Sequence, residues 1–355
     1  MKKIILLIIT LFFITGCYDN VDLNDLNIIT GIGIEYKDEE YKVTYEILNS
    51  EKSSDSISMS SFIESGKGKT ISDAFDNANT FVSKKPYFSH IKILVLDKNV
   101  EGDKLKEVFE YLIRRTDIRD EFHVLTSEDE PSKILKNNSK GNPVVSLELY
   151  DMLVNSKYGS NLAITTPFEK IFSSAKSDKS DMIISSISLK DKKIKLIGAT
   201  TYNKYHVNRT LTKDETSLYN LLINNCNGSV FTKKYEDKND IISITLYDSN
   251  VDISINNNKI KIDGTLQALL LDNTTKLSVE KYDDLNKINN DFKKIIEKNL
   301  KEFIKKLQKD KTDILKLSDK YYKKHRKENN NLWQYLDIEI DLKVKINKKG
   351  LIFEV

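Results

Sequence analysis

Apolar residues recur along this chain in two rhythms, every second position in some stretches and every third or fourth in others, and each change of rhythm marks an element. Residues 28–36 and 41–48 read as strands, the second with Tyr41, Val43, Tyr45 and Ile47 on one face, and Lys37-Asp38-Glu39-Glu40 between them suits a hairpin turn. The polar, Ser-rich stretch 50–61 predicts a flexible loop. Helical spacing then takes over: Ile71, Ala74, Phe75, Ala78, Phe81 and Val82 form one stripe, with Thr70 or Ser72 placed to cap its start and Pro86 to end it. A buried strand at 91–96, a helix carrying Leu105, Val108, Phe109, Leu112 and Ile113, and a strand at 122–125 continue the alternation, so residues 17–180 predict an α/β region, either one domain or two subdomains. Residues 131–174 read as short helices broken by Gly141, Pro143, Gly159 and Pro167.

The polar run from Ser173 to Asp181 predicts a domain boundary, and residues 181–355 a C-terminal α+β domain. Strands are expected at 182–189 and 194–202, a helix at 213–225, and strands at 241–247, 251–255 and 260–271, with Asn256-Asn257-Asn258 as a tight turn because Asn tolerates positive φ. The strongest helical pattern covers 282–309, where Leu285, Ile288, Phe292, Ile295, Ile296, Phe303 and Leu307 keep a 3.6-residue period and lysines fill the other side. Thr312 is placed to cap a following helix with Ile314, Leu315, Leu317 and Tyr321. The last element alternates Leu336, Ile338, Ile340, Leu342, Val344 and Ile346 with polar residues, as a strand wet on one face does. The fold class is therefore α+β and multidomain: mostly antiparallel sheets packed with amphipathic helices, with a long helix in the C-terminal domain.

The N-terminus changes the picture. Lys2 and Lys3 precede residues 4–15, which carry no charge and are too few to span a membrane, where about 20 apolar residues are needed. The run ends in Ile14-Thr15-Gly16-Cys17, which resembles the lipobox of bacterial lipoproteins. The resemblance implies a signal peptide at 1–16, removed on export, and a diacylglycerated Cys17 as the first mature residue. Two acyl chains give the stable attachment that one does not. Of 355 residues, 39% are hydrophobic, with 14 Phe and 17 Tyr, enough to fill real cores. Charge is abundant at 31% yet nearly balanced at +3, so no long-range field selects nucleic acid. The lysines of 293–311 are read as a solvated helix face in preference to a contact with anionic headgroups. With Cys17 committed to lipid, Cys226 has no disulfide partner and reads as a small buried hydrophobe.

Several segments are read together: Gly16-Cys17-Tyr18-Asp19, Asp22-Leu23-Asn24-Asp25-Leu26 and Ile28-Ile29-Thr30-Gly31-Ile32-Gly33-Ile34, then the strand from His90 to Leu96, then Leu112-Ile113-Arg114-Arg115-Thr116-Asp117-Ile118-Arg119, and finally Thr312-Asp313-Ile314-Leu315-Lys316-Leu317 followed by Trp333. Together they resemble the Ger(x)C family, the C subunits of nutrient receptors of spore germination. The chain departs from the family in having Tyr18 where Trp commonly follows the cysteine, and no glycine at 315–317. The resemblance implies a non-catalytic, lipid-anchored subunit on the outer face of the spore inner membrane, beside two integral membrane subunits of A and B type. It implies assembly or signal relay, and no cofactor.

The chemistry-bearing residues agree with a role without catalysis. Gly31-Ile32-Gly33 lacks the third glycine of a dinucleotide fingerprint, Tyr36 standing in its place, and reads as glycines that permit close packing in a sheet. His90, His123, His206 and His325 are scattered, with no metal-ligand spacing, and no nucleophile elbow or phosphate loop occurs. Arg114, Arg115 and Arg119 form a cluster in a lysine-dominated chain; it either pins its loop to Asp117 and Asp120 or contacts a partner subunit. The alternative function is a solute-binding lipoprotein of a transporter, which requires two lobes of repeated parallel βαβ units around a cleft.

Overall fold

The computed structural model describes residues 22, 25–52, 57–137, 143–155, 161–235, 240–256, 259–326 and 332–347. Cys17 and the turn residues Asn257 and Asn258 lie outside these.

The chain opens with three antiparallel strands, β1 (Leu26–Lys37), β2 (Glu40–Lys52) and β3 (Ile57–Gly68). The turn between β1 and β2 holds Asp38 and Glu39 at positive φ. Helix α1 (Ile71–Asn79) follows, then β4 (Lys85–Tyr87), β5 (Ile93–Asp97), α2 (Asp103–Arg114) and β6 (His123–Ser127). Three short helices, α3 (Pro131–Leu135), α4 (Val145–Val154) and α5 (Phe168–Lys176), lead to β7 (Met182–Lys190), β8 (Lys193–Asn203) and β9 (His206–Leu211). All nine strands belong to one sheet, ordered β3-β2-β1-β5-β6-β7-β8-β9, with β4 beside the start of β1. Its centre is parallel, because helices carry the chain from β5 to β6 and from β6 to β7, and its two ends are antiparallel hairpins.

Helices cover this sheet on both faces, which explains why β5 is buried along Ile93–Leu96 without a polar position. Leu94 and Leu96 face Phe75 of α1, Phe109 of α2 and Phe168 of α5 in one core. Ile93 and Val95 face Ile134 and Leu135 of α3 and Val145 and Leu149 of α4 in another.

The remainder is a second, four-stranded sheet with its own helices. It comprises α6 (Lys213–Leu222), β10 (Ser229–Lys234), the long hairpin β11 (Ile241–Asn256) and β12 (Lys259–Asn273), α7 (Tyr282–Lys309), α8 (Leu317–His325), a 3₁₀ turn (Leu332–Tyr335) and β13 (Asp337–Asn347). Ile288, Phe292, Ile296, Leu300, Phe303 and Leu307 of α7 fill its core against Ile244, Ile262, Leu266 and Leu342. The outer edge of β13 is met by α7 side chains: Glu297 accepts from the Leu342 N–H at 3.0 Å and Asn289 from the Ile346 N–H at 3.3 Å.

The α+β class holds, with two mixed sheets. Four details differ from expectation. Residues 57–61 are the start of β3 rather than loop; β3 is an edge strand with a half-exposed surface, so polar residues suit both faces. Residues 241–256 form one strand, bent by a bulge after Leu246, where two were expected. The C-terminal sheet is not wholly antiparallel, because α7 returns the chain so that β13 joins β12 in parallel. Finally, the sheet does not stop at the polar run before residue 181. β7 ladders onto β6, and Ile183 and Ala199 beyond that point join the C-terminal core while Met182, Ile184 and Tyr202 join an N-terminal one.

Candidate functional site

Three clusters bring the chain's chemistry-bearing residues together, beginning with the glycines of β1. A Cβ on Gly31 would stand 2.8 Å from Ser146 Cβ, and one on Gly33 would stand 2.9 Å from Pro131 Cβ. Both separations are too short for carbon atoms, so each glycine leaves a notch in the sheet that admits the start of a helix, α4 or α3. A carboxylate completes each notch. Glu46, paired across strands with Gly31, is fully buried and accepts from the Val145 N–H at 2.6 Å, the Ser146 N–H at 2.7 Å and Ser61 Oγ at 2.8 Å. Glu35 accepts from the Ser132 N–H at 2.8 Å and pairs with Lys42 at 3.2 Å. Free N–H groups at helix starts need such acceptors, and the helix dipole favours a negative one.

The arginine cluster lies where α2 ends. Arg115 donates through Nε to Asp117 at 2.9 Å and through its terminal nitrogen to the other Asp117 oxygen. It also donates to Tyr111 Oη at 3.0 Å and stacks 4.4 Å from the Phe88 ring centre. The guanidinium holds the Asp117 carboxyl below the usual range. Arg114 lies 3.8 Å from Glu110 and is mostly exposed, and Arg119 is exposed with no carboxylate within salt-bridge distance among the described residues. The structure thus brings Arg115 to Asp117 and leaves its two neighbours at the surface.

The third cluster joins the two sheets. The Asp313 N–H donates to Asp181 Oδ2 at 2.6 Å and the Asp181 N–H to the Asp313 carbonyl at 3.1 Å. The Asp313 carboxylate accepts from the N–H groups of Leu317 and Ser318 at 2.7 and 2.8 Å. Asp313, not Thr312, therefore caps α8; Thr312 instead accepts from Asn208 Nδ2 at 2.8 Å. Burial pushes the Asp313 carboxyl up to about 6, with Asp181 adding to the rise. Beside it, Arg209 of β9 bridges Glu215 of α6 and Asp310 after α7, each at 2.8 Å, and Lys306 meets Glu215 at 3.0 Å. Burial raises Glu215, but the Thr212 N–H and the two cations outweigh it and its carboxyl sits below the usual range.

Cys226 is buried beside Ser229 and Leu246, and burial pushes its thiol up, as for an inert packing residue. Among the described residues no group of His, Cys, Asp and Glu could hold a metal ion, and no helix is long and apolar enough to cross a membrane. Sequence reading missed Glu35, Glu46, Asp181 and Asp313. Glu46 alternates with Tyr45 and Ile47, so it reads as the wet face of a strand; only the small residues opposite, Gly31 and Gly33, signal that a helix covers that face.

Comparison with known proteins gives a consistent result. Residues 19–189 match the family described as spore germination protein N-terminal domain, and residues 197–350 match spore germination B3/GerAC like, C-terminal. The chain is 24% identical over 373 residues to spore germination protein B3 of Bacillus subtilis (strain 168), covering 99% of this chain and 98% of that one. It is 24% identical over 259 residues to spore germination protein A3 of the same organism, covering 70% and 67%. The crystal structure of the GerBC protein superposes with a TM-score of 0.57 at 20% identity, covering 89% of this chain and 96% of that one, which shows a shared fold.

Proposed function

The chain belongs to the Ger(x)C family of spore germination proteins, and from that premise we propose that it is the lipid-anchored C subunit of a nutrient germinant receptor, held through Cys17 on the outer face of the spore inner membrane. It acts by assembly or signal relay beside two integral membrane subunits of A and B type. The observation that carries this reading is the pairing of both family halves, in order and over nearly the whole chain, with the lipobox-like Ile14-Thr15-Gly16-Cys17 directly before them. The family is one of germination receptor subunits and not a known enzyme family. The interlocked clusters described above are suited to holding a rigid shape rather than turning over a substrate.

The transporter alternative finds no support in the architecture. Its two lobes would repeat one parallel βαβ plan, whereas the two sheets here have nine and four strands and different pairing.

The test is a Cys17→Ala variant in spores of the source organism. The protein should fold and lose its membrane fraction, and nutrient-triggered germination should fall with it. Pull-down of the native chain from spore membranes should recover two multi-pass proteins. Normal germination with the untethered form would refute the anchoring, and recovery of transporter permeases instead would refute the receptor assignment.

A further inference from the structure

Helix α7 carries two kinds of lysine. Lys293 and Lys306 are engaged, with Asp341 at 2.7 Å and with Glu215 at 3.0 Å. Lys294, Lys298, Lys301, Lys305 and Lys309 are exposed, and none has a carboxylate within salt-bridge distance among the described residues. Their spacings of four, three, four and four residues put all five on one line, opposite the buried line of Ile296, Leu300, Phe303 and Leu307. At a rise of 1.5 Å per residue the line is about 22 Å long. Glu302 borders it, and Asp337 lies with Lys301 and Lys305 around a shallow groove of about 410 Å³. That groove is also lined by Tyr335, which is 81% exposed.

We propose that this face of α7 docks on an anionic phospholipid surface. A straight row of lysines fits a flat sheet of charge. Lysine is a hydrated point charge without the planar fork that selects individual carboxylates, so the row suits diffuse headgroup charge better than a specific acidic peptide. Each lysine close to such a surface adds to the attraction, and a tyrosine with an apolar ring and a polar tip suits the headgroup level. The proposal goes beyond the Cys17 tether and does not depend on it: the tether sets attachment, the row sets which face of the second sheet's domain turns to the membrane.

The experiment reconstitutes the full-length chain in vesicles of phosphatidylcholine alone or with about 30 mol% phosphatidylglycerol, a strongly anionic surface, and reads amine acylation of each lysine by mass spectrometry. Lys294, Lys298, Lys301, Lys305 and Lys309 should label at least about threefold more slowly on the anionic vesicles than on the neutral ones, a difference smaller than one lysine's contribution to binding. Lys37 and Lys190, exposed at the ends of β1 and β7 in the first sheet, should not change. The protection should vanish in about 0.5 M salt, where screening reaches a few ångströms. In Lys298→Gln/Lys301→Gln/Lys305→Gln, protection of Lys294 and Lys309 should also be lost. Equal labelling on the two vesicles, or protection that survives high salt, would overturn the proposal. So would protection by poly-glutamate without any on vesicles, which would assign the row to an acidic protein partner. Flotation of the chain with either vesicle reports the anchoring separately, so its failure is not confused with failure of the row.

Discussion

Replacing Glu46 by Gln isolates what one buried carboxylate does for the first sheet. The side chain is fully buried and its two oxygens serve three donors, Val145 N–H, Ser146 N–H and Ser61 Oγ, at 2.6, 2.7 and 2.8 Å. Gln keeps the shape but only one acceptor oxygen, so its NH₂ group must face one of the two backbone N–H groups. The loss is one hydrogen bond to a charged group, about 1.5–3 kcal/mol, with the freed N–H left buried. To this is added about 0.3–1 kcal/mol of interaction with the start of α4. Removing the charge returns part of its desolvation cost, so the expected net destabilisation is about 1–3 kcal/mol. Urea unfolding followed by circular dichroism should show a lower midpoint with an unchanged slope. Exposed Glu302→Gln serves as control and should stay within about 0.5 kcal/mol of the parent. Because a Cβ on Gly31 would press on Ser146 in the same notch, Gly31→Ala and Glu46→Gln should be non-additive by more than about 0.5 kcal/mol. A Glu46→Gln protein as stable as the parent would refute the view that the carboxylate seats the helix.

Arg115→Lys should cost about 1–2 kcal/mol in thermal or urea unfolding, since the fork on Asp117 and the stack on Phe88 are lost while the charge remains; Arg114→Ala and Arg119→Ala should stay within about 0.5 kcal/mol. If instead Arg115→Lys left stability unchanged but abolished recovery of membrane partners, the residue would be an interface contact rather than a loop pin. Asp313 gives a pH dependence whose sign follows from its raised folded value of about 6. The folded chain binds more protons than the unfolded one between about pH 4 and pH 6, so this group's contribution is fully present below about 4 and is lost as pH rises through 6. Between pH 7.5 and 4.5 the parent should therefore gain stability relative to Asp313→Asn. Parallel curves for the two proteins would show that the Asp181–Asp313 contact does not titrate in that window.

The parts of the fold that could be read from sequence are those whose pattern has one cause. The helix at 282–309 is found at those residues because 28 positions of unbroken periodicity leave no competing reading. Thr70 caps α1 in a capping box with Asp73, and the 182–202 hairpin turns at Asp191 and Lys192, both at positive φ. What stayed hidden depends on neighbours distant in sequence. Nothing local tells that Ser58 and Ser60 belong to an edge strand, or that β13 arrives parallel to β12. The choice of Asp313 over Thr312 as the cap of α8 is set by Asp181, which lies 132 residues earlier. The Gly31-Ile32-Gly33 reading as close packing matches the geometry, but the partners proved to be helix starts rather than another strand.

The hairpin of β7 and β8 has a genetic consequence. The N-terminal family match ends at residue 189, within β7, and the C-terminal match begins at residue 197, within β8. The boundary between the two matches therefore falls inside a pair of strands hydrogen-bonded from Met182–Tyr202 to Lys190–Lys193. Side chains of that pair enter all three hydrophobic cores. Halves exchanged between relatives at that boundary would join a strand from one parent to a mate selected beside another. A chimera of two relatives joined between residues 189 and 197 should therefore unfold at lower urea than one joined after Leu211, where the pair stays within one parent.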